Sequence, residues 1–217
     1  MIKALVFDMD GVIIDSEPLQ IEIIVQVLKQ LGGNSKPEEI YEFVGATNDE
    51  LWATLKKRHN IKKSVKEILE IHDSYKKKRF PEAKLETVEG IPELIKEAKR
   101  KGLKIALATS STKFLAEYIL KRFDIYQYFN ILVTADDISN SKPNPEIYIK
   151  AANLLGVNSD ECIAIEDAHL GVKAAKAAGM KCIAYVNPNS GKQDLTDADI
   201  IVSSIKDIEL DRIQNLF

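Results

Sequence analysis

Two aspartates, Asp8 and Asp10, close the apolar run Ala4-Leu5-Val6-Phe7 and are followed at once by Gly11. Carboxylates held that close in a low dielectric repel each other, and a cation is needed to keep both ionised. An all-oxygen donor set asks for a hard ion such as Mg²⁺, which keeps waters and phosphates among its ligands. Gly11 lets the backbone turn sharply after the second acid. Taken alone, this stretch reads equally well as a strand followed by an Asp-rich turn. Distant partners decide between the two readings. Thr109-Ser110, Ser141-Lys142-Pro143 and Glu166-Asp167 each follow a further apolar segment. Acid, hydroxyl, amine and acid together suit phosphoryl transfer, where catalysis is positioning plus charge stabilisation. A carboxylate attacks phosphorus and forms an aspartyl-phosphate, splitting one displacement into two. Mg²⁺ between Asp8, Asp10 and Asp167 offsets the repulsion between nucleophile and phosphate. A hydroxyl and an ammonium hold the non-bridging oxygens, and the second carboxylate moves the proton.

Such a set works only if strands bring it to one rim. From about residue 85 the chain alternates helix and strand: strands over 103–108, 130–134, 162–165 and 181–185, with a shorter one near 199–202. With the first strand these give a doubly wound parallel α/β sheet, in which ligands gather at the carboxyl ends of the strands. Residues 15–80 have a different texture. Leu19, Ile23, Ile24, Val27, Leu28 and Leu31 recur at helical spacing, and Thr47 to Glu50 and Ser64 to Glu67 fit capping boxes. The expected organisation is a core of residues 1–14 and 81–217, with a helical domain of residues 15–80 inserted after the first strand. Lys76 to Arg79 reads as a solvated helix end and Trp52 as helical-domain core or face. His59, His72 and His169 lack metal-ligand spacing and read as surface or helix-end residues, with His169 near the rim. The loop Asn187 to Asp194 reads as a turn region with no evident chemistry.

Composition narrows the function classes. The chain has 217 residues, 45% hydrophobic and 29% charged, with a net charge of −3. That balance leaves no basic excess for nucleic acid and no polybasic membrane signal. No apolar run approaches a membrane span. Cys162 and Cys182 sit in apolar segments and read as reduced core thiols. A cytoplasmic monomer acting on a small phosphorylated metabolite is the default expectation, with neither nucleic acid nor membrane as partner.

The four motifs, in this order, resemble the haloacid-dehalogenase-like superfamily, in the branch with a helical cap after the first motif. The resemblance implies that Asp8 is the nucleophile and Asp10 the general acid/base, with the Asp10 backbone carbonyl given to Mg²⁺. It implies that Thr109 binds phosphate with help from the Ser110 backbone, and that Lys142 pairs nucleophile and phosphate. Asp167 is then a metal ligand, and Glu166 a direct or water-mediated one. The presence of Asp10 favours phosphate-ester hydrolysis over carbon–halogen displacement, which needs no proton-transfer group. β-Phosphoglucomutases and sugar phosphatases are similar in texture. In the mutase pattern a cap histidine and an arginine occupy positions that here hold Gln20 and the stretch Ala46-Thr47-Asn48-Asp49. Asp15 to Leu19 resembles the start of the cap in sugar-phosphate phosphatases, with Glu17 facing the active site, and Gly45 marks a loop expected to dip toward substrate. A phosphatase is the expectation and a phosphomutase the runner-up. A phosphoacceptor or binding module without turnover is the reading from a different class.

Overall fold

Ala4–Phe7 (β1) is apolar throughout and wholly buried, so the strand needs cover on both faces and a neighbour at each edge. A computed structural model, describing residues 1–43 and 47–216, supplies both. After β1 come four helices: α1 (Glu17–Gln30), α2 (Pro37–Ile40), α3 (Asn48–Arg58) and α4 (Val65–Glu82). Then follow α5 (Ile91–Arg100), β2 (Lys104–Ala108), α6 (Lys113–Arg122), β3 (Ile131–Val133), α7 (Glu146–Leu155), β4 (Cys162–Glu166), α8 (His169–Ala177), β5 (Lys181–Tyr185), β6 (Ile200–Val202) and α9 (Leu210–Leu216). The six strands form one parallel sheet in the order β3-β2-β1-β4-β5-β6.

Side-chain size alternates along the central strands. Ala4, Val6, Ala106, Ala108, Ala164, Cys182 and Ala184 share one cluster with Tyr148, Ala151 and Ala152 of α7 and Val172, Ala174 and Ala175 of α8. Small residues on that face let two helices approach the sheet closely. Leu5, Phe7, Ile105, Leu107, Ile163 and Ile165 alternate with them and are equally buried. Both cysteines are free and buried, as the sequence suggests.

The chain divides into two compact units, residues 1–15 with 86–217, and residues 16–85. In the helical unit α1 packs on α2 and α4, and α3 packs on α4. Both capping boxes form: Glu50 N donates to Thr47 Oγ1 at 3.2 Å, and Glu67 N to Ser64 Oγ at 3.3 Å. Among the described residues no helix is long and apolar enough to cross a membrane.

Three sequence expectations fail in this unit. The cluster Lys76 to Arg79 does not end α4, which runs to Glu82 with Pro81 in its last turn and Ala83 N donating to Arg79 O at 3.0 Å. Lys76 is not solvated: Ile68, His72, Lys76 and Phe80 are spaced four apart and form the buried stripe of α4. His72 is fully buried and accepts a hydrogen bond at Nδ1 from Trp52 Nε1, 3.1 Å away. Burial, reinforced by the Lys76 ammonium, holds its imidazole well below the ordinary histidine range. Position on the stripe, not residue type, decides which way these side chains face.

Candidate active site

The order of the strands fixes where chemistry can gather. In a doubly wound sheet the crevice opens where the connections reverse direction, which here lies between β1 and β4. Phe7 pairs in register with Leu107 on one side and Ile165 on the other, so the next residues emerge together. These are Asp8 from β1, Thr109 just past β2, and Glu166 with Asp167 at the end of β4. Asp8 N donates to Ile165 O at 3.0 Å, carrying the ladder one residue beyond the strand.

Lys142, from the loop after β3, reaches this crevice and is only 8% exposed. Its ammonium donates to Asp8 Oδ1 at 2.6 Å, to Glu166 Oε1 at 2.6 Å and to the Ala108 carbonyl at 3.1 Å. All three of its protons therefore have acceptors. Burial alone would depress the ammonium, but Asp8 and Glu166 hold it above the usual lysine range. Asp8 behaves in the opposite way. Burial pushes its carboxyl up to about 8, Glu166 and Asp10 add repulsion, and Lys142 opposes them.

Asp8, Glu166 and Asp167 are all buried, and one carboxylate oxygen of each lies within 4.8 Å of the others. Three carboxylates face one ammonium, an excess of two negative charges when all are ionised. A divalent cation would balance that excess. The donors are all oxygen, which suits Mg²⁺ better than a thiol- or imidazole-seeking metal. Two glycines make room for the acids. A Cβ on Gly11, whose φ is +85°, would overlap the Asp167 carboxylate, and one on Gly171 would overlap that of Glu166. The residues present therefore fit a Mg²⁺ ion.

Asp10 accepts a hydrogen bond at Oδ2 from Ser111 Oγ, 2.8 Å away. Thr109 is fully buried, and its Oγ1 accepts from Ser111 N at 3.0 Å. The Ser110 side chain is exposed, whereas that of Ser111 is buried and turned to Asp10. Asp136 and Asp137, also in the segment after β3, serve local structure. Asp136 Oδ2 accepts from Lys113 N at 2.9 Å, and Asp137 Oδ2 accepts from Thr134 N at 2.9 Å. Glu17 is the first residue of α1 in the helical unit. Gly45 and Ala46 lie outside the described residues.

Sequence reasoning missed two further groups. Tyr148 of α7 is fully buried; its hydroxyl donates to Glu166 Oε1, and the Lys142 ammonium lies 5.3 Å from its ring centre. The loop after β5 is not chemically empty, as the turn residues suggested. Ser190 Oγ donates to Asp167 Oδ2, and Asn187 Nδ2 donates to the Gly11 carbonyl at 3.0 Å. His169, expected near the rim, is held by this loop: its Nδ1 lies 3.0 Å from the Asp194 carbonyl.

The chain is similar to known proteins over most of its length. The haloacid dehalogenase-like hydrolase family matches residues 5–185. The phosphorylated carbohydrates phosphatase of Thermotoga maritima is 34% identical over 88% of this chain and 88% of its own. Hexitol phosphatase B of Escherichia coli is 31% identical over 95% of this chain and 94% of its own. Among solved structures, the β-phosphoglucomutase of Clostridium difficile superposes with a TM-score of 0.84 at 26% identity, covering 99% of this chain and 96% of that one. A parallel sheet with its acids at the β1/β4 crevice, and a family match over most of the sequence, place this chain among the haloacid dehalogenase-like hydrolases, in their phosphatase branch.

Proposed function

We propose that the protein is a Mg²⁺-dependent phosphatase that hydrolyses a small phosphate monoester, of the sugar- or polyol-phosphate class, through an aspartyl-phosphate on Asp8. The observation that carries this reading is the joining of Asp8 and Glu166 by the single ammonium of Lys142, beside Asp167. The names of the two phosphatase relatives support the substrate class.

A bound Mg²⁺, held by Asp8, Asp167, Glu166 and the Asp10 backbone carbonyl, would supply charge neutralisation for the phosphoryl group and keep Asp8 ionised. The residues do the rest. Asp8 Oδ attacks phosphorus; the ester P–O bond breaks, and Asp10 gives its proton to the departing alkoxide. Lys142 and the Thr109–Ser111 turn hold the non-bridging oxygens. Asp10, now a carboxylate, takes a proton from water, which attacks phosphorus, breaks the bond to Asp8 and releases inorganic phosphate. Ser111 holds Asp10 in place for both transfers.

The test is phosphate release from a panel of hexose, hexitol and nucleoside monophosphates, with Mg²⁺ and with EDTA. Expected is turnover of sugar or polyol phosphates that EDTA abolishes and that Asp8→Asn lowers by at least about 10³-fold, as loss of a covalent nucleophile does. Full activity in Asp8→Asn would falsify the mechanism. The structural likeness to a β-phosphoglucomutase keeps a mutase as second reading. Gln20 and the stretch Ala46-Thr47-Asn48-Asp49, where that pattern has its histidine and arginine, weigh against it. Conversion of β-glucose 1-phosphate to glucose 6-phosphate, without net phosphate release, would favour the mutase.

A further inference from the structure

The loop that follows β5 carries polar side chains that are buried. Asn187 is 5% exposed and Ser190 2%. Such groups destabilise a fold unless they are hydrogen-bonded, so their partners say what the loop does. Ser190 Oγ donates to Asp167 Oδ2. Asn187 Nδ2 donates to the Gly11 carbonyl at 3.0 Å, and Asn189 Nδ2 to Asp15 Oδ2 at 2.6 Å. The loop backbone is fixed as well. Asn189 N donates to Asn187 Oδ1 at 2.8 Å, and Ser190 N to Asn187 O at 3.2 Å. Gln193 Nε2 donates to the Ser190 carbonyl at 2.8 Å, while Gln193 Oε1 accepts from His169 N, the first amide of α8, at 3.0 Å. One short segment thus joins the turn after β1, the end of β4 and the start of α8.

We propose that this loop is a latch that positions Asp167, with Ser190 as the residue that fixes the orientation of its carboxylate. The inference rests on the Mg²⁺-dependent reading above. Asp167 sits close to two other buried acids, and repulsion drives its carboxylate to rotate away from them. The Ser190 hydroxyl opposes that rotation by holding one oxygen. Gly11 provides the space in which the carboxylate sits, and Asn187 ties down the Gly11 carbonyl beneath it. A loop that only closed the fold would turn its hydroxyl to backbone or solvent; here the acceptor is the acid itself. Ser190 is a positioning residue: it touches Asp167 and acts through it.

Isothermal titration of Mg²⁺ into the full-length metal-free protein tests this. Loss of a hydrogen-bond partner behind a metal ligand weakens binding by about 10- to 100-fold, so Ser190→Ala is expected to raise the Mg²⁺ Kd by at least about 10-fold. Ser190→Thr, which keeps the hydroxyl, restores binding to within about 3-fold of wild type on the same reasoning. The exposed Lys192→Ala on the same loop leaves it unchanged. The Mg²⁺ concentration for half-maximal activity moves in parallel with Kd. If Ser190→Ala does not fold, Ser190→Cys replaces it, keeping the volume with a much weaker donor. Wild-type affinity in the variant that lacks the donor overturns the latch alone. Failure of the wild-type protein to bind Mg²⁺ overturns the metal reading, and the latch with it.

Discussion

Lys142 donates to two carboxylates and a carbonyl from a position that water barely reaches. Removing one member of a buried ion pair costs about 3–5 kcal/mol, because the remaining charge keeps its desolvation penalty. Lys142→Met is therefore expected to lower stability by about that much in EDTA. Mg²⁺ should recover part of the loss, since the added cation supplies the missing positive charge; thermal melts with and without Mg²⁺ check this. Equal losses in both conditions would mean that Lys142 and the metal do not share the same acids. Tyr148→Phe is the subtler change. It keeps the ring beneath the ammonium and removes only the hydroxyl on Glu166. Hydrogen bonds to charged groups contribute about 1.5–3 kcal/mol, so a stability loss in that range is expected from urea unfolding. A loss below about 0.5 kcal/mol would show that Lys142 alone satisfies Glu166. The acids and the threonine were legible in the sequence because each stands at the end of an apolar run, and the lysine because Ser141-Lys142-Pro143 follows such a run through a polar loop. Tyr148, Ser111 and Ser190 were not, because their hydroxyls gain meaning only from acceptors 18, 101 and 23 residues away in the chain.

Elements place these side chains by approaching closely where a glycine allows it. Gly171 lies in the first turns of α8, directly against the Glu166 carboxylate. Gly171→Ala keeps helical backbone and improves local propensity, yet its methyl would overlap that carboxylate. The expected result is a fold with near-native circular dichroism and Mg²⁺ affinity lowered by about 10-fold, as for loss of metal-ligand orientation. Unchanged affinity would show that Glu166 can move aside without loosening the site. In the helical unit, α3 and α4 meet through Trp52 and His72. Trp52 donates to Nδ1, so the neutral imidazole carries its proton on Nε2, a buried atom with no hydrogen-bond partner among the described residues. Its folded pKa lies below the unfolded value, so unfolding takes up a proton at mildly acid pH. The stabilisation is full above the ordinary histidine value of 6.5 and falls as the pH drops below it, at a slope of at most about 1.4 kcal/mol per pH unit. Trp52 is the single tryptophan, so its fluorescence during urea unfolding reports on this unit. His72→Gln, which keeps an acceptor but does not titrate, should flatten the dependence between pH 7 and 5. Periodicity revealed α4 but not which polar residues occupied its buried face. A histidine or lysine on the stripe is recognised only when the helix it faces is known.

At the scale of the whole molecule, the α/β unit is discontinuous in sequence, and the 16–85 segment lies between its first strand and the rest. The change from helical periodicity to alternating strands made that discontinuity legible. The junction itself was not, because it depends on single pairings. The chain leaves and re-enters the α/β unit beside an antiparallel bridge between Ile14 and Thr87, extended by Val88 N donating to Ile13 O at 2.9 Å. Bridged residues of this kind have Cα atoms about 4.5–5.5 Å apart, a span that a two-residue hairpin turn closes. Joining Asp15 to Glu86 through Asn-Gly would thus remove residues 16–85 while keeping every strand and every acid of the site. The shortened chain also has less loop-closure entropy to lose than the natural one, because the loop between Ile14 and Thr87 is far shorter. Its stability then rests on the sheet and the helices that cover it. The central strands are buried within this unit, each parallel neighbour supplied from the same unit. The expected outcome is a cooperatively unfolding protein with Mg²⁺ affinity within about 3-fold of the full chain, since all proposed ligands and their supporting partners are retained. Unfolding would be followed by circular dichroism and Mg²⁺ binding by calorimetry. A chain without a cooperative transition would show that the sheet needs the inserted helices to fold. A cooperative chain that has lost Mg²⁺ binding would show that the helical unit contributes to holding the site's acids in place.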